Sequence, residues 1–552
     1  MKNITSTIIL VVYALLSNAQ VCHPTVWLRA DSAVETQNFA SLQNATLWMD
    51  VSGNGYHATP SSGTIPSAFS RMNFNKCFDV GGESFTLPLG INDSRQSDVI
   101  VVYETYDTVN ENALWQVQLD TAKRIGQTTQ RILNDNGQIT YDTVNRLKPV
   151  INYLAQSWRT PEVCVPTLTL CLADSLPLYG RVAEAMYFDH RISDTAVIQW
   201  ISYLAVKYGV TLAQTDYLDS RRNVIWNYSD YPDYCTSIAG IGRDDSVGLH
   251  QKQTYFADNQ IIVGIVGANT TGTGANNYSP LQTGNNEDNP AVIADGDFIV
   301  FGMNGVLPAV SDIYTQSGET YEVIGRSMAQ VTGDAHTYGT FILLDTAAVE
   351  TLRATSLQDA PILLIDRSGT GEFPAGEIEH VPCAGMDTTG HYIYNNVHWD
   401  TDLNGRDFFC FAVTMMDTMG TPKSLVKNAD DDNGTTQENM TNNDRRDAKF
   451  CVSTTDNDET PRLSTNGNSL FLIPHYKLLP NPNHGHFVVE AEYPDVQDIT
   501  VSVYDADGRL LTTMTGKGQH AYRFENSVPT AGHYLIEIIS PSEHKTLKMV
   551  VN

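Results

Sequence analysis

The chain has 552 residues, of which 41% are hydrophobic and 18% are charged. This length suggests several domains, and the apolar content excludes wholesale disorder. Acidic residues outnumber basic ones 63 to 34, which gives a formal net charge of −29. A surface this negative repels phosphate backbones and anionic lipid headgroups, so nucleic acid is not an expected partner. The charge suits solubility outside the cell, and binding of divalent cations is the alternative interpretation.

The N-terminal residues have the pattern of a secretory signal peptide. A positive start, Met1–Asn3, is followed by the apolar run Ile8–Leu16 and the small residues Ser17–Ala19. This order predicts a signal peptide over residues 1–19 that is cleaved before Gln20. The apolar run is too short to span a bilayer and no later stretch is long enough, so we expect no transmembrane segment in the mature chain.

The eight cysteines all follow the predicted cleavage site. None of their spacings is the C-x-x-C of a zinc knuckle or a redox dithiol, and an even number in an exported chain favours structural disulfides. Cys164 and Cys171 are close enough in sequence to close a hairpin, whereas the other pairings stay open. The set comprises Cys22, Cys77, Cys164, Cys171, Cys235, Cys383, Cys410 and Cys451.

Residues 20–213 show short strand-like segments separated by Gly, Asn and Asp. Val99–Tyr103, for example, is rich in β-branched residues, which is typical of a strand. One helix closes this region, because Ser193 or Asp194 can cap its start, apolar residues then recur on one face, and Gly209 ends it. We therefore predict a β-sandwich with one helix docked against its side.

The rest of the chain divides into three segments by composition. Residues 214–416 are again strand-like, which predicts a β-rich module with a candidate split into two subdomains near residue 331. Residues 417–475 are acidic with few large apolar side chains, so we interpret them as a linker or long loop. Residues 476–552 alternate apolar and polar residues, which predicts a small immunoglobulin-like sandwich of about seven strands. Its clearest strands are Phe487–Glu490, Ile499–Tyr504, Tyr534–Ile538 and Leu547–Val551.

Residues 476–552 also carry an ordered set of motif residues. They are Pro480, Asn481, Pro482, Gly485, Tyr504, Gly508, Gly532, Tyr534, Lys545 and Lys548. In order and spacing the set resembles the sorting domain of the bacterial type IX secretion system. The resemblance implies that the signal peptide carries the chain into the periplasm and that the type IX machinery, as its partner, carries it across the outer membrane. It further implies that the domain is cleaved off and that the protein is secreted or attached to lipopolysaccharide at the outer-membrane surface.

The first segment carries four motifs of its own, which are Val26–Asp31, Leu47–Gly55, Ala183–Phe188 and Tyr203–Gly209. Together they resemble the concanavalin A-like, laminin G-type sandwiches of exported bacterial proteins. The resemblance implies a jelly-roll fold that binds glycans, proteins or calcium, although some sandwiches of this shape are glycosidases. Trp27 and Trp48 are candidates for stacking on a sugar ring, but their strand-like positions favour a place in the core.

The middle segment has two motifs, Ile238–Asp245 and Phe301–Gly305. They resemble an uncharacterised module that often follows such sandwiches in surface proteins. The resemblance implies no activity. The Arg243–Asp245 part of the first motif is interpreted as a structural ion pair, since the glycines before it lack the spacing of a dinucleotide site.

Catalytic signatures are absent from the sequence. It contains no G-x-S-x-G elbow, no H-E-x-x-H and no P-loop. The alternating E-x-D-x-x-E strand expected of a glycosidase on this kind of sandwich, which brings two carboxylates within about 5 Å, is also missing. We therefore expect a protein that is not an enzyme.

Two oxygen-rich turns are calcium candidates, so calcium is the one cofactor considered. Asp366, Ser368 and Thr370, followed by Glu377, have ligand atoms at alternate positions and a glycine at the turn, as in a calcium loop. Two expected carboxylates are replaced by hydroxyls there, which favours an ordinary polar turn. The second candidate site comprises Asp50, Ser52 and Asn54, where an Asx-type turn is again the favoured alternative.

The whole chain is thus predicted to be an all-β array: a concanavalin A-like jelly roll, a β-rich middle and an immunoglobulin-like C-terminal sandwich. We expect an exported cell-surface or secreted protein that binds a glycan or a host or matrix protein and contributes to adhesion. The first alternative is a secreted hydrolase of polysaccharides, which clustered carboxylates in a cleft of residues 25–212 would favour. The second is a structural surface component, which a flat sandwich face would favour.

Overall fold

The structure is a computed structural model of the full chain. It describes residues 21–32, 47–63, 69–90, 96–106, 110–119, 124–134, 137–140, 148–157, 165–173, 175–212, 214–257, 259–266, 285–305, 310–316, 319–350, 360–374, 378–414, 449–452, 475–479, 483, 485–505, 509–528, 530–540 and 544–551.

The chain divides into two compact units. The larger comprises residues 1–192 and 199–465, and the smaller comprises residues 193–198 and 466–552. Both consist mainly of antiparallel β-sheet, which confirms the predicted all-β class. Among the described helices, none has the length and apolarity needed to cross a membrane.

The described elements are 36 strands, two α-helices and five short 3-10 helices. The strands are β1 (Val26–Arg29), β2 (Thr59–Pro60), β3 (Phe69–Met72), β4 (Asn75–Gly81), β5 (Phe85–Pro88), β6 (Gln96–Thr105), β7 (Ala113–Gln118), β8 (Arg124–Thr128), β9 (Arg131–Asn134), β10 (Gly137–Thr140), β11 (Val150–Ser157), β12 (Thr167–Leu170), β13 (Leu172–Ala173), β14 (Leu176–Pro177), β15 (Tyr179–Phe188), β16 (Tyr217–Leu218), β17 (Val224–Trp226), β18 (Thr236–Asp244), β19 (Leu249–Gln251), β20 (Gln253–Phe256), β21 (Ile261–Ile265), β22 (Phe298–Met303), β23 (Val310–Gln316), β24 (Glu319–Thr332), β25 (Thr340–Asp345), β26 (Ile362–Asp366), β27 (Ile378–Val381), β28 (Gly385–Met386), β29 (His391–Val397), β30 (Arg406–Thr414), β31 (Lys449–Val452), β32 (His475–Leu479), β33 (His486–Tyr504), β34 (Leu510–Ser527), β35 (Gly532–Ile539) and β36 (His544–Val551). The helices are α1 (Asp194–Tyr208) and α2 (Ala347–Glu350), with 3-10 turns at Ala30–Ser32, Pro232–Tyr234, Asp245–Val247, Asn286–Asp288 and Ala335–Thr337.

The first sandwich consists of two seven-stranded sheets. Sheet I has the order β3-β4-β15-β6-β11-β31 with β1 beside β15, and sheet II has the order β10-β9-β8-β7-β12-β5-β2. The pairs are antiparallel except for β11 with β31. On β6, alternate residues Val99, Val101 and Tyr103 lie in the core between the sheets, which also holds Trp48 and Trp115. The period-2 pattern of the sequence therefore places one face of each strand in this core.

Helix α1 has the predicted bounds, but it is buried on two sides. The Ser193 hydroxyl accepts a hydrogen bond from the Ala196 N–H at 3.3 Å, as an N-cap does. Trp200 packs edge-on against Trp27 of β1, with ring centroids 5.2 Å apart. On another side, Val206 approaches Gly240 of β18 so closely that a Cβ there would lie 3.4 Å from its side chain. The helix therefore packs against the side of the first sandwich, as predicted, and also contacts the second.

A buried ion network fastens α1 to sheet I. The Lys207 Nζ lies 2.8 Å from a carboxylate oxygen of Asp31 and 2.9 Å from one of Glu184 on β15. The hydroxyls of Tyr203 and Tyr208 donate to Glu184 at 2.9 and 2.8 Å. Burial opposes the charge on Lys207, but the two carboxylates outweigh it and leave its pKa raised. Three motifs of the sequence thus meet in one fully paired cluster, which is a structural role.

The second sandwich pairs an eight-stranded sheet with a five-stranded one. The larger has the order β19-β18-β22-β24-β30-β26-β27 with β23 beside β24, and the smaller has the order β20-β21-β25-β29-β28. Phe301, Phe409 and Trp399 pack together in the core between them. Strand β24 runs across residue 331, and the residues on both sides of that position share this core.

The smaller unit contains a five-stranded sheet, in which β32-β33-β35-β36 are consecutive and β34 also pairs with β33. All four predicted strands lie within these elements. The described residues of this unit form five strands instead of the seven or so expected, because β33 and β34 are 19 and 18 residues long. Register shifts between Glu492 and Ile499 bend this pair, so one long strand pairs with β32 in its first half and with β35 in its second.

The disulfide prediction finds no support in the described cysteines. Cys171, expected to close a hairpin, is a fully buried thiol in the core of the first sandwich. Cys22, Cys77 and Cys383 likewise carry thiols. Buried thiols pack as small apolar groups without needing a bond to a second cysteine. Cys164, the signal peptide over residues 1–19 and most of residues 417–475 lie outside the described residues.

Candidate functional site

The turn between β3 and β4 reaches from the first sandwich into the second. Asn73 and Phe74 form this two-residue turn with φ values of 45° and 65°, between the paired residues Met72 and Asn75. A type I′ turn requires positive φ at both positions, and glycine usually takes the second. Phe74 is instead buried, and its ring stacks on that of Tyr255 with centroids 4.3 Å apart and planes at 12°.

The Asn73 side chain joins the same turn to α1 and β20. Its amide nitrogen donates to the carbonyls of Val206 and Lys207 at 3.4 and 3.1 Å, in the last turn of the helix. Its amide oxygen accepts from the Thr254 hydroxyl at 3.1 Å and from the Tyr255 N–H at 2.8 Å. One buried amide thus satisfies helix carbonyls that have no partner within the helix and fixes the second sandwich beside it.

A cleft of about 190 Å³ opens next to this turn, between the two sandwiches. Arg71, Glu104, Lys148 and Arg181 line it from the first sandwich. Tyr255 and neighbouring turn residues line it from the second, and the end of α1 forms part of its wall. The described charged groups of this lining are three cations and one anion, in a chain whose net charge is −29.

The ion pair in the cleft is long. Arg181 Nη1 lies 3.3 and 3.4 Å from the two carboxylate oxygens of Glu104, and its Nε donates to the Tyr106 hydroxyl at 3.1 Å. Charge-assisted hydrogen bonds are ordinarily about 2.7–2.9 Å. Burial raises the pKa of Glu104, and the attraction of Arg181 opposes that rise. The pair therefore holds a carboxylate that is incompletely solvated and only loosely bound by its arginine.

Unusual backbone conformations gather around the cleft. Thirteen described residues other than glycine have positive φ, and five of them line the cleft or adjoin it. Besides the β3–β4 turn, these are Ser237 at 51°, Ala257 at 53° and Asn259 at 69°. Such conformations cost on the order of 1–3 kcal/mol each and concentrate at ligand clamps and active sites. The clustering marks the cleft as the candidate functional site.

The Asp50 turn has the contacts of an Asx-type turn. One carboxylate oxygen of Asp50 accepts from the N–H groups of Trp27 and Ser52 at 2.8 and 2.9 Å. The other accepts from the Ser52 hydroxyl at 2.8 Å and the Tyr56 N–H at 2.9 Å. Asn54 donates its N–H to the Ser52 hydroxyl at 3.2 Å. These donors occupy the oxygens that a cation would need, which favours the turn interpretation.

The Asp366 turn is arranged in the same way. Its buried carboxylate accepts from the N–H and hydroxyl of Ser368 at 2.9 and 2.5 Å, from the Thr370 hydroxyl at 3.4 Å and from the Phe373 N–H at 3.1 Å. Glu377 lies outside the described residues. Within the described part of the chain, no group of three or more His, Cys, Asp or Glu side chains is placed to hold a metal ion.

The tryptophans considered for sugar stacking are core residues. Trp48 is fully buried between Phe78 and Phe85, with ring centroids 5.0 and 4.9 Å away. Trp27 is 7% exposed, and its Nε1 donates to Glu184 at 2.5 Å. This agrees with the preference for core positions stated from the sequence.

The described sorting-motif residues hold the turns and edges of the smaller unit. Gly485 has a φ of 95°, and a Cβ there would lie 2.7 Å from a backbone oxygen, so glycine is required. The Tyr504 hydroxyl donates to Glu537 at 2.9 Å, and the Tyr534 hydroxyl donates to the Thr530 carbonyl at 2.7 Å.

The other motif residues are at strand positions or outside the described chain. Gly532 starts β35, and Lys545 and Lys548 are on β36, paired with Ile538 and Leu535 of β35. Pro480, Asn481, Pro482 and Gly508 lie outside the described residues. The described motif residues therefore have positions that support the turns and the strand pairing of this unit.

Reasoning from the sequence missed the cleft. Its residues come from turns and strand ends that are far apart in the chain, such as Asn73 and Tyr255, which are 182 residues apart. Tyr208, Gly209 and Ile238 belong to the motifs Tyr203–Gly209 and Ile238–Asp245, but neither motif has the spacing of a known binding site. The one local signal was the pair Asn73-Phe74 between two strand-like segments, since asparagine favours the positive φ of a tight turn. The predicted ion pair does form, with Arg243 Nε 2.6 Å from Asp245, but on the surface.

Two solved structures of carbohydrate-active proteins are similar to parts of the chain. Domain 4 of an extracellular arabinanase from Geobacillus stearothermophilus, in complex with arabinotriose, is 14% identical over 32% of this chain and 96% of its own, with a TM-score of 0.24. A Trypanosoma rangeli sialidase in complex with sialic acid is 11% identical over 31% of each chain, also with a TM-score of 0.24. With TM-scores this low, neither bears on the fold or activity of this chain.

A third structure covers more of the chain. Dimeric latent PorU from Porphyromonas gingivalis is 9% identical over 85% of this chain and 31% of its own, with a TM-score of 0.14. That score too is too low to support any conclusion. No curated protein sequence matches the chain.

Two family models match the sequence. Residues 198–403 match a domain of unknown function (DUF8202), which agrees with the expectation of an uncharacterised middle module. Neither match includes the first sandwich, so its likeness to concanavalin A-like domains stays an expectation. Residues 477–552 match the secretion system C-terminal sorting domain, as their motif residues predict. The chain therefore carries a C-terminal sorting domain and is a protein for secretion, or for attachment at the outer-membrane surface, through the type IX secretion system.

Proposed function

We propose that the mature chain is a non-catalytic binding protein that contributes to adhesion, and that it holds a glycan in the cleft between its two sandwiches. The cleft is the observation that carries this proposal, since it combines a concave shape with charged, aromatic and amide side chains. Ligand sites commonly lie where two domains meet and present a few convergent polar groups. Delivery through the type IX system would bring this site to the outside of the cell.

The size of the cleft suits a small part of a ligand. Its volume of about 190 Å³ is below the roughly 300–1,000 Å³ usual for drug-sized ligands. One sugar residue, at the end of a longer glycan or on a branch of it, fits this volume better than a peptide segment with several side chains. Tyr255 offers an aromatic surface, and Asn259 and Ser237 offer hydrogen-bonding groups of the kind that hydroxyl-rich ligands use.

The absence of a carboxylate pair supports binding without hydrolysis. Among the described residues that line the cleft, Glu104 is the one carboxylate, and it is held by Arg181. Glycosidases ordinarily use two carboxyl groups, about 5 Å apart in retaining enzymes and roughly 6.5–9.5 Å apart in inverting ones. The hydrolase alternative therefore needs a second carboxyl group that this lining does not provide.

A glycan and matrix-protein array probed with the secreted full chain tests the proposal. The variant Arg71→Ala/Lys148→Ala removes two lining cations, and Arg243→Ala, which removes a partly exposed arginine outside the lining, is the control. We expect binding to glycans that weakens at least about tenfold in the double variant and is unchanged in the control. Equal binding by the wild type and the double variant would exclude the cleft as the site. A blank array would favour a structural surface component, and cleavage of array polysaccharides would favour the hydrolase.

A further inference from the structure

We propose that the ligand of this cleft is an acidic saccharide, whose carboxylate takes the place of Glu104 beside Arg181. This inference rests on the proposed glycan-binding function and specifies the chemical class of the glycan. It is supported by the charge of the lining, by the incomplete hydrogen bonding of Arg71 and Arg181 and by the loose ion pair between Arg181 and Glu104.

The charge of the lining is opposite to that of the chain. Arg71, Lys148 and Arg181 face one anion, whereas acidic residues outnumber basic ones 63 to 34 overall. A concave surface of one sign within a strongly charged protein concentrates ligands of the opposite sign. Within this acidic chain, the cleft is therefore a local site for anions.

The two arginines of the cleft do not use all of their hydrogen-bond donors. Arg71 donates its Nε to the side chain of Asn285 at 2.8 Å, and Arg181 uses its Nε and Nη1. Within the described part of the chain, the Nη atoms of Arg71 and the Nη2 of Arg181 make no hydrogen bond. Guanidinium groups bind planar carboxylates through two parallel hydrogen bonds, so these open positions suit a carboxylate.

The comparison with another ion pair of the same sandwich shows how loose the cleft pair is. Arg131 binds Glu111 through two atoms, with Nε 2.7 Å and Nη2 2.9 Å from the carboxylate oxygens. Arg181 approaches Glu104 through a single nitrogen at 3.3 Å and 3.4 Å. In the free protein, Glu104 therefore neutralises the charge of Arg181 without forming the two parallel hydrogen bonds that a guanidinium group can make. A ligand carboxylate can displace Glu104 from this position.

Calorimetric titration of the secreted full chain with trigalacturonate and with its methyl ester tests the inference. The acid and ester differ in charge but share the sugar ring. We expect the acid to bind at least about tenfold more tightly than the ester. Arg181→Gln should weaken binding of the acid about tenfold, whereas Glu104→Gln, which frees the arginine, should strengthen it by roughly threefold or more. The control variant Arg243→Gln should leave the affinities for the acid and for the ester unchanged.

The inference predicts that Arg181→Gln and Glu104→Gln change the affinity for the acid in opposite directions. If the cleft recognises only the sugar hydroxyls, trigalacturonate and its methyl ester would bind equally tightly. Glu104→Gln would then leave the affinity for both compounds unchanged or lower it. That result would overturn the acidic ligand but keep the glycan site. No binding of either compound, together with a blank array, would overturn the proposed function itself. The unfolding midpoint of each variant is measured alongside, and Arg71→Gln replaces Arg181→Gln if the latter does not fold.

Discussion

The ring of Phe74 in the first sandwich stacks on the ring of Tyr255 in the second, with centroids 4.3 Å apart and planes 12° from parallel. Phe74 also belongs to a cluster with Ile262, Phe341 and Leu343, which lie on strands of the second sandwich. The match to DUF8202 begins at residue 198, inside helix α1, which is buried between the sandwiches. The region that the family model matches therefore packs against residues that precede it in the chain, such as Phe74.

Replacing Phe74 tests how strongly this turn joins the sandwiches. Phe74→Ala should lower the free energy of unfolding by about 3–5 kcal/mol, because a buried aromatic ring is lost while the positive φ remains. Phe74→Gly should lose the same ring but recover up to about 1 kcal/mol, since glycine adopts positive φ without strain. Urea unfolding followed by tryptophan fluorescence measures both. A loss below about 1 kcal/mol in both variants would contradict a structural role of the stacking.

The buried ion network under α1 should respond sharply to loss of its cation. Lys207→Met removes the cation that Asp31 and Glu184 share, so that Glu184 stays buried with neutral hydrogen-bond donors while Asp31 keeps Arg29. We expect the free energy of unfolding to fall by about 3–5 kcal/mol. Lys76→Met is the matched control, because Lys76 pairs with Glu287 at 3.2 Å on the surface and should change stability by less than about 1 kcal/mol. Similar losses in both variants, by urea unfolding, would contradict the difference in burial.

Asp98 should make stability depend on pH. Burial raises its pKa to about 6, while hydrogen bonds from the Ile192 N–H and the Tyr153 hydroxyl oppose the rise. The folded chain then holds the proton more tightly than the unfolded chain, whose aspartate titrates near 3.8. Stability from this group is therefore present below pH 4 and is lost as pH rises through about 6.

Asp98→Asn should accordingly raise the free energy of unfolding at pH 7.5, by on the order of 1–3 kcal/mol, and change it little near pH 4. Urea unfolding at the two pH values measures the difference. Burial also raises the pKa of Asp407 to about 6, so part of the pH dependence of stability remains in the Asp98→Asn variant. The same change at both pH values would show that Asp98 acts through packing and not through its charge.

The Asp366 turn should be indifferent to calcium. Its carboxylate already accepts several hydrogen bonds, so adding calcium or a chelator should leave the unfolding midpoint of the wild type unchanged. Asp366→Ala should lower the free energy of unfolding by about 1–3 kcal/mol with or without calcium, because buried donors lose their acceptor. A calcium-dependent rise in the midpoint that disappears in Asp366→Asn would support the calcium loop instead.

The thiols should react in the order of their exposure. Iodoacetamide labelling followed by mass spectrometry should modify Cys22 and Cys383 in the folded chain well before Cys77 and Cys171. Burial raises the pKa of Cys77 to about 12 and raises that of Cys171 further, so both stay protonated and unreactive at neutral pH. Rapid labelling of Cys171 in the folded chain, or its recovery in a disulfide with Cys164, would contradict the buried thiol.

The sequence by itself determined the β class, the bounds of the long helix and the presence of the sorting domain. Alternation with period 2 identifies strands such as Val99–Tyr103, and the start and end of α1 are visible in Ser193 and Gly209 because capping depends on local residues. The sorting domain is recognisable for a similar reason, since its described motif residues lie at turns and in strand pairs within one short segment.

Only the tertiary structure decided where the candidate site lies and which contacts the acidic turn residues make. Asn73 and Tyr255, 182 residues apart, become neighbours through the packing of two sandwiches, and no local pattern encodes that contact. Asp50 and Asp366 could be ligands or turn residues by sequence, and the choice depends on which N–H groups the fold brings to their oxygens. Local periodicity specifies elements, whereas a site between modules depends on contacts between residues distant in the chain.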